Sequence, residues 1–220
     1  MYRCHPQTAK LVELLRSGVI GEVRVIQATF SFHAHFNLDN RLLNNTLGGG
    51  GILDVGCYCT SMARLIAGVA TGKDFAEPTK VIGSAHIGKA SRIDEYAVAT
   101  LTFPGDIIAQ LFSGVQVEGE NVVRIFGTEG SILVPSPWTP EPEDGITTII
   151  VKRNGEEKEQ ELIIECKDGL YTLEADVVAA HIDTCQAPFP AMTWDDTLGN
   201  MRTLDQWRAA IGLVYDAERP

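Results

Sequence analysis

Between residues 80 and 165 the chain carries seven short runs rich in Val, Ile, Thr and Phe, most separated by only a few residues. No other feature narrows the fold as much. The runs are 80–87, 95–103, 106–117, 121–126, 131–134, 146–152 and 160–165. Pro104-Gly105 joins two of them, Gly127-Thr128-Glu129-Gly130 joins two more, and Asn154-Gly155 turns the last pair. Such tight joints make antiparallel neighbours, because parallel strands need a crossover of a dozen or more residues. The stretch 135–145 holds four prolines and reads as a surface loop.

Helical patterns flank this run. Pro6 suits a first helical turn, Leu11, Leu14 and Leu15 follow at helical spacing, and Ser17-Gly18 marks an end. Residues 22–32 alternate as a strand, and 37–51 is a polar, glycine-rich loop. Residues 52–67 are apolar at helical spacing, with Gly68 as the expected stop. Two further helices are expected at about 170–185 and from Thr193, the latter with Leu198, Met201, Leu204, Trp207, Ile211 and Val214 on one face.

This order predicts a single α+β domain over 1–220: an open, mostly antiparallel sheet with helices on one face. The other face is left uncovered, with Ala97, Ala99, Leu101 and Phe103 expected on it. An apolar sheet face of that kind predicts a homodimer built sheet to sheet.

Composition removes several classes of function. The formal net charge of −11 disfavours nucleic acid and anionic membranes as partners. No apolar run in the sequence reads as a membrane span, and the first residues do not read as a signal peptide. Five scattered cysteines fit a reduced, cytoplasmic protein without a disulfide framework. Cys57-x-Cys59 and His33-x-His35 lack further ligands, so no metal is expected.

Chemistry concentrates in Gly48-Gly49-Gly50-Gly51-Ile52-Leu53-Asp54-Val55-Gly56-Cys57-Tyr58. Glycines ahead of a helix permit close approach of backbone or ligand, and the helix start offers N–H groups and a positive dipole end. Asp54 and Tyr58, four apart, share a face and form a plausible proton-handling pair. The residues alone equally fit a flexible loop, an acidic first turn and a packing tyrosine.

This segment resembles the motif of the glucose–fructose oxidoreductase / inositol dehydrogenase / MocA family, in which a glycine run leads into Asp-x-Gly-x-Tyr or Asp-x-Gly-x-His. The tyrosine form is like that of the dimeric dihydrodiol dehydrogenases and the NADP-dependent xylose dehydrogenases. Other stretches agree: Met1-Tyr2-Arg3 with His5-Pro6-Gln7, Ile20-Gly21-Glu22-Val23, Asn40-Arg41-Leu42, Gly127 to Ser131, and Met192 to Leu198. The resemblance covers nearly the whole chain. It implies the family's C-terminal, substrate-side domain and an NAD(P)-dependent oxidoreductase acting on CH–OH groups of sugars, polyols or dihydrodiols.

By that resemblance Tyr58 is the proton donor or acceptor and Asp54 orients it or the substrate. Arg41 reaches the substrate from the loop, Gly50 and Gly51 line the substrate site, and Arg3 and His5 lie toward the cofactor at the domain junction. The chain departs from the family in one large respect: it holds no strand–Gly-x-Gly-x-x-Gly–helix unit and no counterpart of the family's Glu-Lys-Pro lysine. NADP or NAD is therefore expected only together with an N-terminal dinucleotide-binding domain, and the chain alone is expected to be inactive. A non-catalytic dimerising or ligand-binding module, and a glycoside-cleaving relative with bound NAD, are the alternatives.

Overall fold

The structure, a computed structural model, describes residues 1–140 and 145–219; part of the 135–145 loop lies outside the described residues. Helix α1 (Pro6–Arg16) leads to strand β1 (Val23–Ser31), and helix α2 (Cys57–Ala70) follows the glycine run. Seven strands come next: β2 (Lys80–Ile87), β3 (Asp94–Phe103), β4 (Ile107–Gly114), β5 (Val123–Gly127), β6 (Gly130–Val134), β7 (Ile146–Arg153) and β8 (Gln160–Glu165). Helices α3 (Leu170–Ala180) and α4 (Trp194–Ala210) follow.

All eight strands form one sheet in the order β2-β3-β4-β1-β5-β6-β7-β8. Among the described residues only β1 with β4 is parallel; every other pair is antiparallel, as the short joints require for the pairs of strands consecutive in sequence. The open, mostly antiparallel α+β sheet with helices on one face is thus the observed fold. Helix α1 is capped by His5, whose Nδ1 accepts from the Gln7 N–H at 3.1 Å.

Three sequence expectations are corrected. First, Ala97, Ala99, Leu101 and Phe103 are buried beneath the helices rather than on the open face. Side chains alternate along a strand, and α4 needs the face with the smaller groups. Gly83 pairs with Ala99, and a Cβ at Gly83 would lie 3.0 Å from the Trp207 ring. The open face instead carries Ile82, Tyr96, Val98, Ile108 and Phe126, all exposed.

Second, Gly68 lies inside α2. A side chain there would run into the Phe75 backbone, so the glycine serves close approach. The helix ends through Gly72 at φ +75°, with Lys73 N–H bonding to Gly68 C=O and Gly72 N–H to Val69 C=O.

Third, the two last helices are divided differently. Helix α3 stops at Ala180, before a short 3₁₀ turn at Ile182–Thr184. Along α4 the inward face is Asp196, Asn200, Thr203, Leu204 and Trp207, whereas Leu198 and Met201 are exposed. A buried ion pair sets that rotation. Asp196 accepts from Arg3 Nη2 at 2.9 Å and pairs with Arg64 Nη1, and Arg64 Nη2 also reaches Glu77 at 2.7 Å. Gly199 leaves room for the Arg64 guanidinium, which a side chain would strike.

The segment Asn45–Ala70 is long and apolar enough to cross a membrane by length and composition, with mean hydropathy 1.3, contrary to the sequence reading. Its apolar window is 78% buried inside the fold, where α2 packs in the core.

Candidate functional site

The loop into α2 is built from two 3₁₀ turns, Arg41–Leu43 and Asn45–Leu47. The Asn40 and Asn44 side chains cap them, accepting from Leu42 N–H at 2.9 Å and Thr46 N–H at 3.0 Å. The glycine run is then pressed from several sides. A Cβ at Gly49 would lie 2.6 Å from the Arg41 carbonyl oxygen, and one at Gly51 would lie 3.1 Å from Gly114. Gly50 adopts φ +118°, and a side chain there would strike the Asp94 carboxylate. The C-terminal segment clasps the same run, with the Tyr215 hydroxyl donating to the Gly49 carbonyl at 2.8 Å.

The Ile52 N–H at this start is already engaged. Asp94, at the first residue of β3 and wholly buried, accepts from the Ile52 N–H through Oδ2 at 2.6 Å. The sequence drew attention to the glycines and the dipole end, and no signal in it located the carboxylate that fills them. A carboxyl packed here against Gly50 and the Ile52 N–H occupies the place a ligand phosphate would take at this helix start.

Burial pushes the Asp94 carboxyl up to about 7 from 3.8, against the opposing pull of the Ile52 N–H. In the unfolded chain the carboxyl ionises near its ordinary value. Its stabilising contribution is therefore full below about pH 4 and is lost as pH rises through about 7. Urea denaturation from pH 4 to 7.5 is expected to show this fall in the native protein, and a smaller one in Asp94→Asn. Parallel profiles would refute the assignment.

Asp94 fixes the turn that carries Asp54. Residues Ile52–Gly56 form a π-helical turn before α2 proper, a feature often found at functional sites. From it Asp54 pairs with Arg41, Oδ1 to Nη1 at 2.7 Å; Asp54 is largely shielded, whereas Arg41 is exposed. The structure thus brings Arg41, Asp54 and Tyr58 into one neighbourhood, with Asp54 among the charges that act on Tyr58.

Tyr58 is half-buried among aromatic rings. Its centroid lies 5.3 Å from Phe30, 5.8 Å from Tyr2 and 6.1 Å from Trp138. Trp138 is an anchor: buried, stacked on Phe30 at 5.6 Å and donating to the Thr29 carbonyl at 2.8 Å. Among the described residues the Tyr58 hydroxyl has no hydrogen-bond partner. Burial raises its pKa above the ordinary phenol value, and the neighbouring Cys57, Tyr171, Asp54 and Glu174 act in the same direction. A group that lowers it would have to be a cation from outside these contacts.

Tyr58 opens on a cavity of about 360 Å³ between the N-terminus, α2, α3 and the start of α4. Tyr2, Cys57, Val178, Ala191 and Met192 make most of its wall apolar, with Ser61, Glu174 and Asn200 among the polar groups. Arg3 also lines it, but its three guanidinium nitrogens are engaged by Pro190, Ser61 and Asp196. His5 is buried in its capping role. Among the described residues no group of His, Cys, Asp and Glu is arranged to hold a metal ion.

The site thus lies where a glycine run enters the helix that backs the open eight-stranded sheet, with Asp54 and Tyr58 at the helix start. The sequence profile of the GFO/IDH/MocA C-terminal domain matches residues 8–133, and the chain belongs to that family. An uncharacterized oxidoreductase of Rhizobium meliloti is 36% identical over 146 residues, covering 66% of this chain and 41% of that protein. A trans-1,2-dihydrobenzene-1,2-diol dehydrogenase of Homo sapiens is 26% identical over 228 residues, covering 99% of this chain and 62% of that protein. A D-xylose 1-dehydrogenase (NADP(+)) of Haloferax volcanii is 24% identical, covering 93% and 58%. A 3-ketoreductase from Actinomadura kijaniata, solved in complex with NADP and TDP-benzene, superposes with TM-score 0.78 at 20% identity, over 96% of this chain and 60% of that one. The chain thus spans less than two thirds of the length of these relatives.

Proposed function

We propose that the chain is the substrate-binding and oligomerisation part of an NAD(P)-dependent oxidoreductase acting on the CH–OH group of a sugar, polyol or dihydrodiol. The observation that carries this reading is the Tyr58 hydroxyl, without a hydrogen-bond partner among the described residues, at an apolar cavity one turn from the Arg41–Asp54 pair. The names of the relatives supply the reaction class.

In this reading Tyr58 bonds the substrate oxygen and gives or takes its proton. Asp54 orients that exchange, and Arg41 holds Asp54 while its remaining donors face the substrate. Gly50 and Gly51 let the loop pack against Asp94 and Gly114, which sets the turn that carries Asp54. Arg3 and His5 brace the junction toward the cofactor rather than binding it through free donors. The nicotinamide, when bound, supplies the hydride chemistry. Asp94 occupies the helix start behind the glycine run, so in this reading a separate dinucleotide-binding domain holds the cofactor.

The test joins this chain to a relative's dinucleotide-binding domain. NADP(H)- or NAD(H)-dependent alcohol oxidation is expected in the joined protein, with no tight NADPH binding by the chain alone. A well-folded fusion that turns over no alcohol would leave a non-catalytic binding module. The apolar open face supports a homodimer packed sheet to sheet; a monomer by sedimentation at micromolar concentration would remove that part.

A further inference from the structure

Beyond α4 the chain turns back toward the glycine run, and this return takes no part in the chemistry proposed above. Gly212, at φ +70°, follows the end of the helix, and residues 213–218 then reach the loop that carries Arg41 at three places. Leu213 packs in one apolar cluster with Leu43. The Asp216 N–H donates to Asn45 Oδ1 at 2.7 Å. The Tyr215 hydroxyl donates to the Gly49 carbonyl at 2.8 Å. The segment is itself held in place: Glu218 accepts from the Tyr215 N–H at 3.0 Å and from Arg208 of α4 at 2.9 Å, and Arg92 pairs with Asp216.

The Tyr215 bond falls where the loop is least restrained by its own residues. Gly49 stands between Gly48 at φ +70° and Gly50 at φ +118°, and glycine limits its backbone less than any other residue. Bonds within the loop, from Gly49 N–H to Asn44 C=O and from Gly50 N–H to Leu42 C=O, set its shape without anchoring it to the rest of the fold. Tyr215 supplies an anchor. It is buried, and burial, then the nearby Asp94 charge, raise its pKa above the ordinary phenol value, so the hydroxyl keeps its donor proton. Gly49 in turn packs against the Arg41 backbone, where a Cβ would lie 2.6 Å from the carbonyl oxygen. The Arg41 side chain is exposed and meets Asp54 at 2.7 Å. The direction in which it leaves the loop therefore rests on the backbone that Gly49 supports.

We propose that Tyr215 is a positioning residue: by holding the Gly49 carbonyl it fixes the loop that brings Arg41 onto Asp54, and through that pair it sets the Asp54 carboxylate for its work with Tyr58. This rests on the reading of Tyr58 and Asp54 as the proton-handling pair. It adds to that reading a residue from the far end of the domain that touches neither substrate nor cofactor.

The test follows the Asp54 carboxyl carbon by NMR in the chain itself. Arg41→Ala gives the position of that signal without the ion pair. Tyr215→Phe removes one oxygen and keeps the ring beside Leu43 and the Arg208 guanidinium. In it the Asp54 signal is expected to move part of the way to the Arg41→Ala position. Amide exchange at Gly49 and Gly50 is expected to quicken about tenfold, the effect of one buried hydrogen bond. Added to Arg41→Ala, Tyr215→Phe is expected to move Asp54 no further, as for two residues acting through one contact. Asp216→Asn alters the same segment but leaves the Tyr215 hydroxyl in place, and is expected to keep the native Asp54 signal. In the joined protein, with whichever of D-xylose and trans-1,2-dihydrobenzene-1,2-diol it oxidises, Tyr215→Phe should lower kcat about tenfold and leave KM within about twofold. A native Asp54 signal in Tyr215→Phe would overturn the proposal. So would an equal displacement in Asp216→Asn, or one that Tyr215→Phe still causes in the Arg41→Ala background, since either marks a general loosening of the segment. Failure of the oxidoreductase reading is separate. It would appear as absent turnover in the native joined protein, with the Asp54 signal of the chain still responding as expected.

Discussion

Tyr58→Phe is expected to lower alcohol oxidation by the joined protein about 10²–10⁴-fold, the usual worth of a positioned proton donor or acceptor. The substitution removes one oxygen and keeps the ring contacts with Tyr2, Phe30 and Trp138. The fold should therefore be retained, with an unfolding midpoint close to that of the native protein. The hydroxyl has no partner among the described residues, so its loss orphans no buried group. The loss should fall on kcat more than on KM, because a proton transferred at the transition state contributes little to ground-state binding. In the chain alone burial raises the phenol above its ordinary range. Its titration, followed by ultraviolet difference spectra, should lie above pH 10 there and fall once a dinucleotide domain brings a cation. Undiminished turnover in Tyr58→Phe would remove Tyr58 from the chemistry.

Asp196→Ala is expected to destabilise the fold by about 3–5 kcal/mol, read as a fall in the urea midpoint at unchanged slope. Asp196 is buried between two arginines: Arg3, 3% exposed, at 2.9 Å, and Arg64, with no exposed surface. Alanine leaves both guanidinium groups in the interior without their shared anion. Arg64 would keep Glu77 and the Phe75 ring, 5.0 Å away, and Arg3 would keep Ser61 and Pro190. Those contacts do not neutralise two charges, and this distinguishes the site from an exposed pair worth about 0–1 kcal/mol. The double variant Arg64→Met with Asp196→Ala should recover part of the loss, since the uncompensated charge is removed with its partner. A loss under about 1 kcal/mol in the single variant would show that water or a rearrangement replaces the carboxylate.

Much of the fold was legible because it is local. Strand periodicity and the joints at Pro104-Gly105, Gly127 to Gly130 and Asn154-Gly155 depend on neighbours in sequence, and all eight strands form where the alternation lies. The glycine run into Asp54 and Tyr58 was legible for the same reason, and Thr193 caps α4 by accepting from the Asp196 N–H at 3.2 Å. Residues that act across the chain were not. Alternation shows that a strand has two faces but not which one the helices take, so Ala97 to Phe103 fell on the wrong side. Arg64 in an apolar helix is the one sign that hinted at a buried partner, because an arginine is rarely interior without one. Which carboxylate answers it is a matter of packing between α2 and α4.

The sequence by itself determined the eight strands, the bracketing helices, the tyrosine at the end of the glycine run and the family these imply. Those properties are set by side-chain periodicity and backbone freedom over a few residues. Only the tertiary structure decided that Asp94 fills the helix start, that Arg41 meets Asp54, that Arg3 and Arg64 share Asp196, and that Asn200 joins Tyr58 at one cavity. Each rests on a contact between residues from 13 to 193 positions apart, the last on the Asn200 bond to Cys57. Such contacts are selected by close packing and by the cost of leaving a buried polar group unpaired, which no short stretch of sequence displays.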